Sequence, residues 1–176
     1  MRTNASFRRT TIIWPLLLSV YVDDLLISSK SMALIEETKK WLKEIFDLKD
    51  MGEADCILGM TITRDRVSKT KKLSQAHYIE KVLKTHDVWN EKVLRVPMDP
   101  QIKLSKSMCP VTDEEKKAMS KYPYESVVGS LMYAMTSTWP DIAYAIGVAS
   151  LFSSHPRKEH WDALVRIMRY LKGTID

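Results

Sequence analysis

Tyr21-Val22-Asp23-Asp24 sets two adjacent carboxylates between the apolar runs Trp14 to Val20 and Leu25 to Ile27. β-Prone apolar residues on both sides predict a hairpin with the acid pair at or near its turn. Asp favours turns for purely conformational reasons, so an isolated pair is most often an ordinary polar turn. Two carboxylates on a tight turn also suit a hard divalent cation such as Mg²⁺, which in turn organises phosphate chemistry. That second reading points to nucleotidyl transfer.

Beyond the hairpin, Ser31 can cap a helix whose apolar positions Leu34, Ile35, Thr38, Trp41, Leu42, Ile45 and Phe46 recur at helical spacing, with Gly52 as its stop. Such a stripe predicts packing on the sheet. Residues 55–64 and 71–74 read as strands joined by the polar turn Asp65 to Thr70, and Ser74 caps a further helix bearing Ile79, Val82, Leu83 and His86. From Val88 to Val111 the prolines Pro97, Pro100 and Pro110 break any periodicity and mark an extended linker between two lobes. Thr112-Asp113-Glu114-Glu115 is a capping box, and Pro123 and Pro140 each sit where a first helical turn begins. Segments 124–136, 141–153 and 157–172 complete a mostly helical C-terminal part.

A chain of 176 residues with 45% hydrophobic and 28% charged residues has the composition of a globular protein with a real core. Its net charge of +5 permits an anionic partner. The excess concentrates from Arg64 to Lys84, where seven Lys or Arg face only Asp65 and Glu80. Arg64, Arg66, Lys69, Lys71 and Lys72 are therefore candidates for contact with a nucleic-acid backbone, against the alternative of a solvated hairpin tip. Arg157, Lys158, Arg166, Arg169 and Lys172 carry the same two readings further along.

Cys56 and Cys109 are the only cysteines and have no metal-ligand spacing, which argues against a disulfide framework or a zinc site and fits an intracellular compartment, cytoplasmic or nuclear. Arg2, Arg8 and Arg9 before Ile12 to Val20 imitate a signal peptide. Pro15 interrupts that run, and Asp23-Asp24 closes it well short of the roughly 20 apolar residues of a membrane span, so no membrane partner is expected.

Several blocks together resemble the polymerase of copia-type long-terminal-repeat retrotransposons. They are Tyr21-Val22-Asp23-Asp24, Phe46-Asp47-Leu48-Lys49-Asp50-Met51-Gly52-Glu53, Ile57-Leu58-Gly59-Met60, Leu73-Ser74-Gln75-x-x-Tyr78, Tyr124-x-Ser126-Val127-Val128-Gly129-Ser130-Leu131-Met132-Tyr133, Pro140-Asp141-Ile142-Ala143-Tyr144-Ala145 and Arg169-Tyr170-Leu171-Lys172-Gly173-Thr174. The resemblance spans about residues 12–176. It implies an α+β chain: a partial polymerase palm of antiparallel strands with packed helices over 12–87, the linker over 88–111, and a helical thumb and connection region over 112–176. Residues 1–11 show poor periodicity and are expected to be disordered.

The resemblance further implies Asp23 as a direct ligand of Mg²⁺ or Mn²⁺ with Asp24 assisting, Tyr21 and Val22 against the primer end and nucleotide, and Ile57, Leu58, Gly59 and Met60 as a primer grip in which Gly59 allows close backbone approach. An RNA or DNA template-primer is the implied partner, and Lys49 is a candidate proton donor to pyrophosphate or simply a surface lysine. Two-metal nucleotidyl transfer needs ions about 3.5 to 4 Å apart held by carboxylates from more than one strand. Residues 1–22 contain no Asp or Glu, and the chain stops where the family continues into a ribonuclease H domain. The expectation is thus a truncated RNA-directed DNA polymerase, inactive alone, whose missing half another chain would have to supply, with weak or absent metal binding. The alternative is a non-catalytic nucleic-acid-binding remnant of a decayed element.

Overall fold

Leu17–Tyr21 (β1) and Asp24–Ser28 (β2) pair antiparallel, with Leu17 opposite Ser28 and Tyr21 opposite Asp24, in a computed structural model that describes residues 16–175. The expectation for residues 1–11 lies outside the described residues. Packing divides the chain into two compact units, one ending at Ile57 and the other starting at Leu58.

In the first unit, the β1–β2 hairpin leads into Met32–Ile45 (α1). Ser31 caps this helix as its sequence predicts, its Oγ accepting from the Leu34 amide at 3.3 Å. The helix ends at Ile45 because Phe46 turns extended (φ −127°, ψ 146°). Gly52 is not the stop: it lies in the following loop with φ 82°, its amide donating to Asp50 Oδ1 at 3.0 Å. That bond, together with Lys39 at 3.3 Å and Lys43 at 3.5 Å, ties the loop back to α1 and holds the Asp50 carboxyl below its ordinary range. Of the expected apolar stripe only Leu42 is buried, while Trp41, Ile45 and Phe46 stay about half exposed. A two-stranded hairpin of five paired residues presents too little area to cover the stripe of a 14-residue helix. Cys56–Ile57 (β3) closes the unit.

In the second unit, Met60–Asp65 (β4) pairs antiparallel with Thr70–Ser74 (β5), in register from Thr61 opposite Ser74 to Asp65 opposite Thr70. Asp65 builds the connecting loop: its Oδ1 accepts from the amides of Val67 at 2.8 Å and Ser68 at 3.2 Å, and the Ser68 hydroxyl donates to Oδ2 at 2.6 Å. The strand expected over 55–64 is thus broken into β3 and β4 by Leu58 and Gly59.

Ala76–Thr85 (α2) follows with Gln75 as N-cap residue, although the Ser74 hydroxyl still accepts from the Ala76 amide at 3.2 Å. Asp113–Met119 (α3) opens on the expected capping box of Thr112 and Glu115. Tyr124–Ser137 (α4), a 3₁₀ turn at Pro140–Ile142, Ala143–Ser150 (α5) and Lys158–Lys172 (α6) complete the unit. Their inward faces form one core, in which Leu131, Ile142, Ile146, Leu164, Met168 and Leu171 meet Ile79, Leu83 and Val88. Among the described residues, every buried apolar side chain except Leu42 belongs to this unit.

The proline-bearing stretch 88–111 holds only a 3₁₀ turn at Lys106–Met108 and runs along α6. Leu94 donates its amide to the Arg169 carbonyl at 3.3 Å, Arg169 Nε donates to the Lys92 carbonyl at 2.7 Å, and Arg166 pairs with Asp99 at 3.3 Å. The sequence places its clearest break here by composition, whereas packing divides the chain at Ile57 and Leu58. The whole is mixed helix and strand with small antiparallel sheets.

Candidate active site

The acid pair is split by the hairpin. Val22 and Asp23 form the two-residue turn, and Asp24 is the first residue of β2, paired with Tyr21. Asp23 thus rides the turn while Asp24 belongs to the ladder. Both carboxylates are exposed, as are Tyr21 at 60% and Val22 at 82%. Val22 adopts φ 49°, an outlier for a β-branched residue that costs on the order of 1–3 kcal/mol. Such strain persists where its surroundings over-determine it, and it gathers at functional sites.

The donor set fits a hard cation, since two carboxylate oxygens are what Mg²⁺ prefers. No group of three or more His, Cys, Asp or Glu able to hold a metal ion occurs among the described residues. Near-octahedral coordination would draw its remaining ligands from water, phosphate oxygens or carboxylates elsewhere.

Ile57-Leu58-Gly59-Met60 is a turn between two strands, with Ile57 ending β3 and Met60 opening β4. Leu58 (φ 53°) and Gly59 (φ 74°) are successive left-handed residues, the pattern of a type I′ turn. A Cβ built on Gly59 would meet no atom of the chain within 4 Å, so within the protein glycine serves the backbone angle here. Tyr133 on α4 donates its hydroxyl to the Leu58 carbonyl. The Tyr133 ring meets Tyr78 of α2 edge-on, centroids 4.9 Å apart and planes at 82°, and Tyr78 donates to the Ser130 carbonyl at 3.1 Å. Sequence reading placed both tyrosines in motifs without finding this link, because residues 75 positions apart carry no local signal of contact.

Arg64, Arg66, Lys69, Lys71 and Lys72 all fall on the β4–β5 hairpin. Arg64 stands directly opposite Lys71, and Lys69 takes φ 56° in the connecting loop. Arg64, Arg66, Lys69 and Lys71 line a shallow surface depression with Asp65 and Thr70. The basic residues of α6 are committed differently: Arg157 pairs with Glu115, Lys158 with Asp162 and Arg166 with Asp99, while Arg169 and Lys172 reach the carbonyls of Lys92 and Glu91. They brace the fold. Lys49 is exposed in the loop between α1 and β3.

The profile of the reverse transcriptase (RNA-dependent DNA polymerase) family matches residues 7–100. This chain belongs to that family. Similarity to transposon proteins extends across nearly the whole chain. A retrovirus-related Pol polyprotein from transposon TNT 1-94 of Nicotiana tabacum is 52% identical over 159 residues, covering 90% of this chain and 12% of the relative. A protein of transposon Ty5-1 from Saccharomyces cerevisiae is 31% identical over 94% of this chain and 52% of its own length. The Pol polyprotein from transposon RE1 of Arabidopsis thaliana is 39% identical over 88% of this chain and 10% of its own. The chain thus spans from about a tenth to about half of the length of these three relatives, and the reverse transcriptase segment it carries is of the copia-type Pol polyprotein kind. No solved structure gives a significant match. No helix among the described residues is long and apolar enough to cross a membrane.

Proposed function

We propose that this chain is the later part of an RNA-directed DNA polymerase of a copia-type retrotransposon, with palm elements over 12–87, a linker over 88–111 and a thumb and connection region over 112–176. The observation that carries the reading is the strained two-residue turn that presents Asp23 beside Asp24, in a chain matched to the reverse transcriptase family. Asp23 and Asp24 would hold the divalent ion that such polymerases generally use, and that ion, when bound, supplies charge stabilisation at phosphate oxygens. Tyr21 and Val22 lie against the primer end and nucleotide, Ile57 to Met60 grip the primer strand, and the basic β4–β5 hairpin follows the backbone of a template-primer duplex.

In this reading the acid pair is half of a two-metal site, whose further carboxylates come from other strands. The chain alone is expected to give no primer extension on an RNA template with Mg²⁺ or Mn²⁺. A fingers-palm segment that supplies the third carboxylate restores incorporation, and Asp23→Asn abolishes it. Asp23-dependent extension by the chain alone would overturn the half-site reading.

A second reading, a nucleic-acid-binding remnant without catalysis, is favoured by the gathering of Arg64, Arg66, Lys69 and Lys71 along one depression of the β4–β5 hairpin. Duplex binding that falls steeply with salt, ignores Mg²⁺ and survives Asp23→Asn supports this remnant over the polymerase half-site.

A further inference from the structure

Leu58 holds a left-handed backbone that only glycine adopts without steric cost, so the turn it shares with Gly59 needs an outside restraint. The Tyr133 hydroxyl supplies one, donating to the Leu58 carbonyl from 75 residues away. Tyr133 is itself held in place. Its ring packs edge-on against Tyr78, and Tyr78 is anchored by its own hydroxyl to Ser130, just before Tyr133 on α4. Two helices are thus clamped together with one phenol aimed at the turn.

We propose that Tyr133 is a positioning residue for the primer strand, fixing the Leu58-Gly59 turn and with it the start of β4. The inference rests on the primer-grip reading of Ile57 to Met60. It does not follow from packing alone. Tyr133 is half-buried and lies outside the hydrophobic core, and a phenylalanine would make the same ring contact with Tyr78. What tyrosine adds is a donor at the one carbonyl that the left-handed Leu58 presents to α4. Gly59 is exposed at the tip, so a turn anchored from below offers its outer backbone to a ligand in a single orientation.

Tyr133→Phe deletes only the hydroxyl, and Tyr78→Phe is the control that cuts the Ser130 bond while leaving the turn bond. Amide exchange measured on the full chain is expected to quicken roughly tenfold at residues 59–61 in Tyr133→Phe, the scale of one lost hydrogen bond. Exchange in α6 stays unchanged, and Tyr78→Phe, which keeps both the ring contact and the turn bond, loosens the turn far less than Tyr133→Phe. Affinity for a fluorescent RNA–DNA primer-template falls several-fold in Tyr133→Phe alone. Unchanged exchange at the turn, or an equal rise throughout α6, overturns the brace. A loosened turn with unaltered affinity keeps the brace but overturns its role on the primer. A wild-type chain that binds no duplex overturns the primer-grip reading itself, and the positioning role with it.

Discussion

At the scale of single residues, His160 has the clearest chemical consequence outside the hairpin. It is fully buried, stacked on Phe152 with ring centroids 4.2 Å apart, and its Nδ1 accepts the Arg157 amide at 2.9 Å, closing the first turn of α6. Burial pushes its pKa down, with Glu159 raising it and Arg157 lowering it further. The unfolded chain therefore binds the proton more readily than the folded one, so the stabilisation is whole above the ordinary histidine value and is lost as pH falls through it towards the depressed value. Thermal melts should show a lower Tm at pH 5 than at pH 7.5, and His160→Gln, which keeps an acceptor at the capping position, should flatten that difference. The sequence announced the acid pair but not His160 or Tyr133. Chemistry written in adjacent letters can be read locally, whereas a buried cap or a hydroxyl aimed across two helices exists only once the chain has folded.

Among elements, the helices apart from the end of α1 were legible to within a few residues, because 3.6-residue periodicity and caps such as Ser31 and Thr112 act locally. The strand expected over 55–64 was not, since a Leu-Gly pair reads equally well as a strand with a bulge and as a type I′ turn; only the φ angles separate the two. The expected role of Gly52 failed for a related reason: its amide is taken by Asp50 in a loop beyond the helix end. Asp65 organises the β4–β5 loop, and hydrogen bonds from Ser68, then from the Val67 amide, hold its carboxyl below the ordinary range. Loop order is accordingly complete above the usual carboxylate pKa and is lost as pH falls through the depressed one. An NMR titration should show Val67 and Ser68 amide shifts moving together at acid pH, and Asp65→Asn should remove that step while weakening duplex binding if the loop touches the backbone.

Across the molecule, the core gathers from α2 to α6 and leaves the acid hairpin in the unit where, among the described residues, Leu42 alone is a buried apolar side chain. A chain starting at Leu58 is expected to melt cooperatively close to the full-length Tm. Leu131→Ala should destabilise both by about 2–5 kcal/mol, and a noncooperative melt of the shorter chain would contradict this. Composition reads as a globular chain with a break, but a break in packing depends on which stripes find partners, and among the described residues Trp41, Ile45 and Phe46 of the α1 stripe stay half exposed. The two-stranded sheet has one further consequence. Among the described residues each of its strands has a free outer edge, and Leu17-Leu18-Ser19-Val20-Tyr21 is uncharged, β-prone and free of proline. Such a segment is a template for cross-β stacking. The strand that leads into the carboxylates is thus also a hazard in concentrated storage, and a lysine at the exposed Val20 would serve as its gatekeeper.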